Sequence, residues 1–296
     1  MTALSPENIA LVALLTREPT MRWAQYRDEL VADSRPSDLV AGSGELSRGE
    51  TTLRGWLAAA AGANFYSYLD DGYPAQLREV WDFPPFVFLQ GDETPLHSPH
   101  GDRGICIVGS RSASSGAVDV ASYIARSLAE EGTTIVSGLA AGIDYAAHSA
   151  AVQMGARTVG IIGTGIDRCY PSSSCQLQHH LAAGHGMVLS QFPPGSSPTR
   201  SSFPMRNGVM SAYGNATIIV AASEKSGTRH QARQAIRHGR PLILAEPVAR
   251  ETTWGRKLAD DPLVDAHVAR TPDDAIELAR SVLNRRSPVP AEASLF

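Results

Sequence analysis

From residue 105 onward the chain alternates short apolar runs with helix-length amphipathic stretches, and this alternation constrains the fold more than any other feature. The strand candidates are ICIVG (105–109), TTIVSG (133–138), TVGIIG (158–163), MVLSQF (187–192), ATIIVAA (216–222) and PLILAE (241–246). Between them, apolar residues recur at helical spacing over 116–131, 142–154, 174–183, 204–213 and 227–238, with a further helix over 272–284. Continuous apolar runs joined by helix-length crossovers predict parallel strands covered on both faces. The fold class is therefore α/β, a doubly wound, mostly parallel sheet, in which ligands bind beyond the carboxyl ends of the strands.

The first hundred residues have a different texture. Residues 6–15 and 52–61 place Ile9, Leu11, Val12 and Leu14, then Leu53, Trp56, Leu57 and Ala60, at helical spacing, so two or three short helices are expected before position 65. A short strand, FVFL (86–89), follows among the breakers Pro74, Pro84 and Pro85. The expected organisation is an N-terminal helical domain over 1–64, a main domain over 65–284 with a linker-like stretch at 95–104, and a tail at 285–296.

Three cysteines, Cys106, Cys169 and Cys175, are too few for a disulfide framework and form no C-x-x-C pair. The N-terminus has no basic leader, and nowhere do 18 apolar residues run unbroken, which predicts a soluble protein of the reducing cytoplasm.

Clusters of glycine and small polar residues follow five of the strands. They are Gly109, Ser110 and Arg111; Gly138 to Asp144; Gly163, Gly165 and Asp167; the stretch QFPPGSSPTRSSFPMRNG; and SEKSGTRHQAR, which includes Ser226, Gly227 and Thr228. Glycines there let the backbone approach a ligand, and amides and hydroxyls at the next helix N-terminus bind anions, so the ligand should carry phosphate. A dinucleotide fits poorly, because Arg168 stands where G-x-G-x-x-G needs its third glycine, and no G-K-S/T completes a phosphate loop. No cofactor is called for.

The whole chain carries a formal charge of −4, which gives no hint of a polyanion partner. Residues 191–240, however, hold Arg200, Arg206, Lys225, Arg229, Arg233, Arg237 and Arg240 against the single acid Glu224, a local balance of +6 that leaves −10 for the rest. Arg229, Arg233 and Arg237, spaced by four, would stripe one helix face while Ala232, Ala235 and Ile236 face the sheet. A solvated surface face is the alternative for such a run, but salt-bridge lacing cannot account for seven bases facing one acid, whereas capture of backbone phosphates can. Phe203 and Tyr213 are core candidates that also offer stacking faces for unpaired bases.

No catalytic set is complete. Asp144 and Asp167 follow glycine turns, where an aspartate caps a helix or holds a loop, and His148 sits in an alanine-rich helix as a packed or capping residue. His179, His180 and His185 lack a cysteine or carboxylate at ligand spacing, and no G-x-S-x-G occurs, so neither a metal nor a hydrolase nucleophile is expected.

Taken in order, IVGSRSASSGA (107–117), SGLAAGID with AAH (137–148), GTGIDRCYP (163–171), SQFPPGSSP (190–198), FPMRNG (203–208) and SGT followed by GRPLILAEP (226–247) resemble the DprA/Smf family of DNA-processing proteins. The resemblance runs over roughly 65–260 and is joined upstream by YPAQLREVWDFPPFVFLQGD (73–92). It implies an extended Rossmann-like fold that binds single-stranded DNA, forms a homodimer and helps to load the recombinase RecA in recombination or natural transformation. Carried over by position, the DNA-binding candidates are Gly109, Ser110, Arg111, Arg206, Asn207, Ser226 and Gly227. Gly138, Gly163, Gly165, Thr228, Arg229, Arg233 and Arg237 join them from the reading of the loops and the stripe. No catalytic or metal-binding residue is assigned.

The chain departs from the family pattern in three places. Gln191 replaces the acid of S-E-x-P-P-G, Gly208 replaces the second arginine of R-N-R, and Ser226 to Ala232 read S-G-T-R-H-Q-A where the family has S-G-S-L-x-T-A; Arg229 is a candidate to compensate for the arginine lost at 208. The chain also ends before the winged-helix tail of many members. The competing reading is a nucleotide sensor or a phosphoribohydrolase of the lysine decarboxylase-like type, whose P-G-G-x-G-T-x-x-E carries a catalytic glutamate. Here Gln231 stands at that place, and an amide cannot serve as the base.

Overall fold

The computed structural model describes residues 3–17, 23–32, 34–97 and 102–285. Among these, nine strands form one sheet: β1 Asn64–Ser67, β2 Phe86–Gly91, β3 Gly104–Gly109, β4 Thr134–Ser137, β5 Thr158–Ile162, β6 Met187–Ser190, β7 Ala216–Ala221, β8 Leu242–Ala245 and β9 Ala266–Ala269. Their order is β1-β2-β6-β5-β4-β3-β7-β8-β9. The pairs β1–β2 and β2–β6 are antiparallel and all the others parallel, so the sheet is doubly wound and mostly parallel, as the alternation predicts. The chain builds β3 to β6 outward in one direction, then crosses back to place β7, β8 and β9 on the other side of β3. The switch point therefore lies between the carboxyl ends of β3 and β7.

The pleat of β3 shows how the two faces are filled. Ile105 and Ile107 pack with Ile124, Leu128 and Ala147 under the helices Ser115–Glu130 and Ile143–Gln153, joined by Ile276 and Leu283 of the helix Pro272–Arg285. Cys106 and Val108 point the other way, against Met210 and Tyr213 of the helix Ser202–Tyr213 and Ala232 and Ala235 of the helix Thr228–Arg237. The helix predicted over 174–183 is Cys175–His180, continued by an irregular turn, Leu181–His185, in which Gly184 has φ +101°.

Among the described residues four helices precede position 65, not two or three: Pro6–Leu15, Trp23–Ala32, Pro36–Leu39 and Ser43–Ala59. The last begins nine residues before the sequence expectation of 52, because Gly44, Gly49 and Gly55 argue against a helix locally. Gly49 is instead a packing device. A Cβ there would stand 2.5 Å from the Ile9 carbonyl oxygen and 2.8 Å from the Ala13 Cβ, so only glycine lets the first and fourth helices touch. Val12 and Leu53 then share a cluster with Phe65, Phe86, Phe88 and Val188 at the antiparallel end of the sheet.

Within the stretch 95–104, residues 98–101 lie outside the described residues, and Asp102 is anchored to the sheet. Its carboxylate accepts from Arg157 Nε at 3.0 Å, from the Tyr213 hydroxyl at 2.6 Å and from the Thr134 hydroxyl. Of the C-terminal stretch 285–296, residues 286–296 lie outside the described residues. No helix among the described residues is long and apolar enough to cross a membrane.

Candidate functional site

At the switch point the loops after β3 and β7 enclose a cleft of about 380 Å³. The helix Ser202–Tyr213 forms one wall and the N-terminal turn of the helix Thr228–Arg237 the other. Of the sequence candidates, the fold brings together Gly109, Ser110, Arg111, Arg206, Asn207, Ser226, Gly227 and Thr228 as lining residues. Gly138, Gly163, Gly165, Arg229, Arg233 and Arg237 do not line it.

Gly109 closes β3 where its register with β7 shifts, and a Cβ there would meet Ile143 Cγ1 at 2.5 Å and the Ala221 carbonyl oxygen at 2.9 Å. The bare backbone lets the Ser110 N–H bond the Ala221 carbonyl at 2.8 Å, which turns the loop up into the cleft. Arg111 follows, exposed, with its guanidinium 5.2 Å from the centroid of Phe203. Phe203 in turn lies 5.6 Å from the ring of Tyr170, itself 44% exposed, so cation and aromatic rings line up along one rim. Arg111 makes no ion pair among the described residues.

Arg206 has the opposite character. It is buried, and its Nη1 donates to the carbonyls of Gly138 and, at 3.0 Å, of Ile161. Gly138 is glycine because a Cβ would overlap that guanidinium. Burial pulls the Arg206 pKa down, with Asp144 acting against this and Arg111 adding to it. Burial likewise raises the Asp144 carboxyl above the usual range, partly offset by the charge of Arg206 and by the N–H groups of Ala140 and Gly138, the latter at 3.2 Å. Gly138, Asp144 and Arg206 thus form a brace beneath the cleft.

On the opposite wall the Ser226 hydroxyl accepts the Thr228 N–H at 3.2 Å and donates to the Thr228 hydroxyl at 2.8 Å. The N-terminus of the helix Thr228–Arg237 therefore opens on the cleft with hydroxyls around it. His230 and Gln231 also line the cleft, a role that sequence reasoning did not give them, since Gln231 stood out only as an amide in place of a carboxylate. The signal lay in the helical period: Gln231 adjoins Ala232 on the buried face.

Beyond the cleft, Arg229, Arg233 and Arg237 are exposed along one helix while Ala232 and Ala235 are fully buried. Arg237 lies 4.6 Å from the centroid of the exposed Trp81. Gly163 backs onto the Phe203 ring, and Gly165 is wedged against the Pro193 carbonyl and the Gly195 N–H, the latter bonded by Asp167 at 2.8 Å. Tyr213 is core: it is fully buried, donates to Asp102, and has its pKa driven far up by burial, so it offers no stacking face. His148 is packed, its Nδ1 2.7 Å from the Thr158 hydroxyl. The rings of His180 and His185 stack at 4.2 Å, and no group of three or more metal-ligating side chains is found among the described residues.

The family model for DNA recombination-mediator protein A matches residues 64–278. The DNA processing protein DprA of Bacillus subtilis is 37% identical over 171 residues, 58% of this chain and 56% of that protein. DprA of Streptococcus pneumoniae is 37% identical over 178 residues, 60% and 61% of the two chains, so the matches span less than two thirds of these relatives' own length. The crystal structure of the S. pneumoniae protein superposes with a TM-score of 0.71 at 25% identity, covering 94% of this chain and 98% of that one. The DNA processing protein A of Helicobacter pylori, a structure described for its single-stranded DNA binding mode, shares the fold with a TM-score of 0.63 at 24% identity, over 76% of this chain and 97% of that one.

Proposed function

Because the chain belongs to the DNA recombination-mediator protein A family, we propose that its switch-point cleft binds single-stranded DNA as part of DprA-type DNA processing. The observation that carries this reading is the convergence of an exposed, unpaired Arg111, the loop residues Gly109 and Ser110, Asn207, and the helix N-terminus at Ser226, Gly227 and Thr228 on one cleft. Such a donor set suits the phosphate of a strand, and the Arg111–Phe203–Tyr170 rim suits an unstacked base. The stripe Arg229, Arg233 and Arg237 carries the strand away from the cleft, while Arg206 with Gly138 fixes the floor and Gly163 and Gly165 shape the neighbouring loops. A duplex, whose bases are stacked and paired, cannot offer an unstacked base to so small a cleft.

The finer parts of the proposal follow the family. The protein acts in the cytoplasm as a homodimer, delivering strands to RecA in recombination or natural transformation, and works as a binding protein without turnover. Residues 1–64 serve as a helical domain and 65–284 as the DNA-binding domain. Fluorescence anisotropy with a labelled single strand and the matching duplex tests the core claim. The single strand should bind much more tightly and lose affinity steeply with added salt. Equal affinity for the two forms, or indifference to salt, overturns it.

A further inference from the structure

Gln231 is 1% exposed, lines the cleft, and has neither Oε1 nor Nε2 hydrogen-bonded to any described group. A buried carboxamide with both ends unpaired is disfavoured unless something completes it, and unpaired buried polar atoms are rare enough that each calls for a reason. One neighbour shares its condition: Nε of Arg206, which lines the same cleft, is also buried without a partner. The residues that line the cleft therefore hold two unused donors, Gln231 Nε2 and Arg206 Nε, and one unused acceptor, Gln231 Oε1.

This set discriminates between the parts of a nucleotide. A phosphate has only acceptors, so it would leave Oε1 unpaired and set it against a negative oxygen. A base edge carries both kinds of group. The pairing edge of a pyrimidine has two acceptors and one donor: O4, O2 and N3–H in thymine, O2, N3 and the N4 amino group in cytosine. It can complete all three protein atoms. Adenine's pairing edge has one acceptor too few, and guanine's brings two donors to the single acceptor. The residue at this place is also one of the chain's own departures, since the family pattern quoted above has threonine there.

We propose that Gln231, with Arg206 beside it, reads the edge of a pyrimidine base seated in the cleft, giving this chain a pyrimidine preference among single strands. The inference rests on the single-strand reading of the preceding subsection, and the test separates the two. Thymidine, deoxycytidine and deoxyadenosine homopolymers of equal length are titrated against the parent protein and Gln231→Met, which keeps the side-chain volume and removes both polar ends. The parent should prefer both pyrimidine strands to the adenine strand by roughly five-fold or more, the low end for one lost base contact. Gln231→Met should close most of that gap with little change for the adenine strand, and should melt no lower than the parent. Comparing the two proteins cancels the self-stacking of the adenine strand.

Equal affinity of the parent for all three strands, or a gap that survives in Gln231→Met, overturns the inference and leaves the single-strand reading intact. A lower melting temperature for Gln231→Met marks the amide as a structural group and overturns it as well. Failure of all three strands to bind removes both readings together.

Discussion

Replacing Arg206 by Met tests the brace, because methionine keeps the stem's bulk and removes only the guanidinium. The Gly138 and Ile161 carbonyls each lose a charge-assisted donor in a buried place, at about 1–3 kcal/mol each. Asp144 loses its buried counter-charge, while the cost of keeping a guanidinium out of water disappears. The net destabilisation should be about 2–4 kcal/mol, a large share of the roughly 5–15 kcal/mol that holds an ordinary domain together. In a chain of this size that lowers Tm by roughly 3–6 °C. Urea or thermal unfolding followed by circular dichroism measures it, with anisotropy on the same samples below the transition. Unchanged stability would refute the assignment, since Arg206 would then not hold the loop Gly138 to Asp144.

Arg111→Ala should do the reverse, weakening single-strand binding by about 1.5–3 kcal/mol, roughly ten- to 150-fold in Kd, while costing at most about 1 kcal/mol of stability for the lost contact with Phe203. Early melting with normal binding would identify it as a packing residue. Charge reversal of Arg229, Arg233 and Arg237 together to Glu should nearly abolish binding in an anisotropy titration with only a modest change in Tm, since all three are exposed; binding as tight as the parent's would make the stripe a solvated face. His148, held neutral by burial at about 3 against an ordinary 6.5, takes up no proton where the unfolded chain does, so stability falls as pH drops below 6.5. The loss should reach about 2 kcal/mol at about pH 5. Urea unfolding across that range should show a flatter dependence in His148→Gln, and the same slope in both proteins would place the pH sensitivity elsewhere.

The parallel strands were legible because strands buried on both faces read as unbroken apolar runs, and each was placed to within about two residues by that signal alone. The edges were not. β1 reads NFYS and β9 reads AHVA, four residues each, only partly buried, with no apolar run to announce them. The helices Glu246–Glu251, with Pro247 in its first turn, and Thr253–Asp260 are short, and Ser43–Ala59 hides a packing surface behind glycines. The ligand-facing loops were visible from their glycines, but which of them converge depends on strand order. The loops after β3 and β7 meet because those strands are neighbours, while Gly163 and Gly165 follow β5, two strands away. Nothing local distinguishes Arg111 from Arg206; long-range packing exposes one and buries the other.

The same partition reshapes the electrostatics. Seven bases crowd 191–240, yet Arg206 holds the Gly138 loop, and Arg240 is 3% exposed, paired to Glu79 at 2.8 Å and donating to the Ala212 carbonyl at 3.0 Å. Arg237 leans on Trp81, next to His238, whose covered imidazole bridges Asp82 and Ser211 at 2.6 Å each and ties this helix end to the loop before β2 and to the helix Ser202–Tyr213. The charge left to meet a strand is Arg200, Lys225, Arg229, Arg233 and Arg237, together with Arg111 on the loop after β3. Each phosphate neutralised on a single strand contributes about −0.7 to the slope of log affinity against log salt, so six cations support a slope of about −4.2. Successive stripe positions are about 6 Å apart along the helix axis, near one nucleotide step of an extended strand, and they begin at the cleft mouth. A strand anchored by one nucleotide in the cleft therefore meets Arg229 first, Arg233 next and Arg237 last, so the contribution of the stripe should decline in that order.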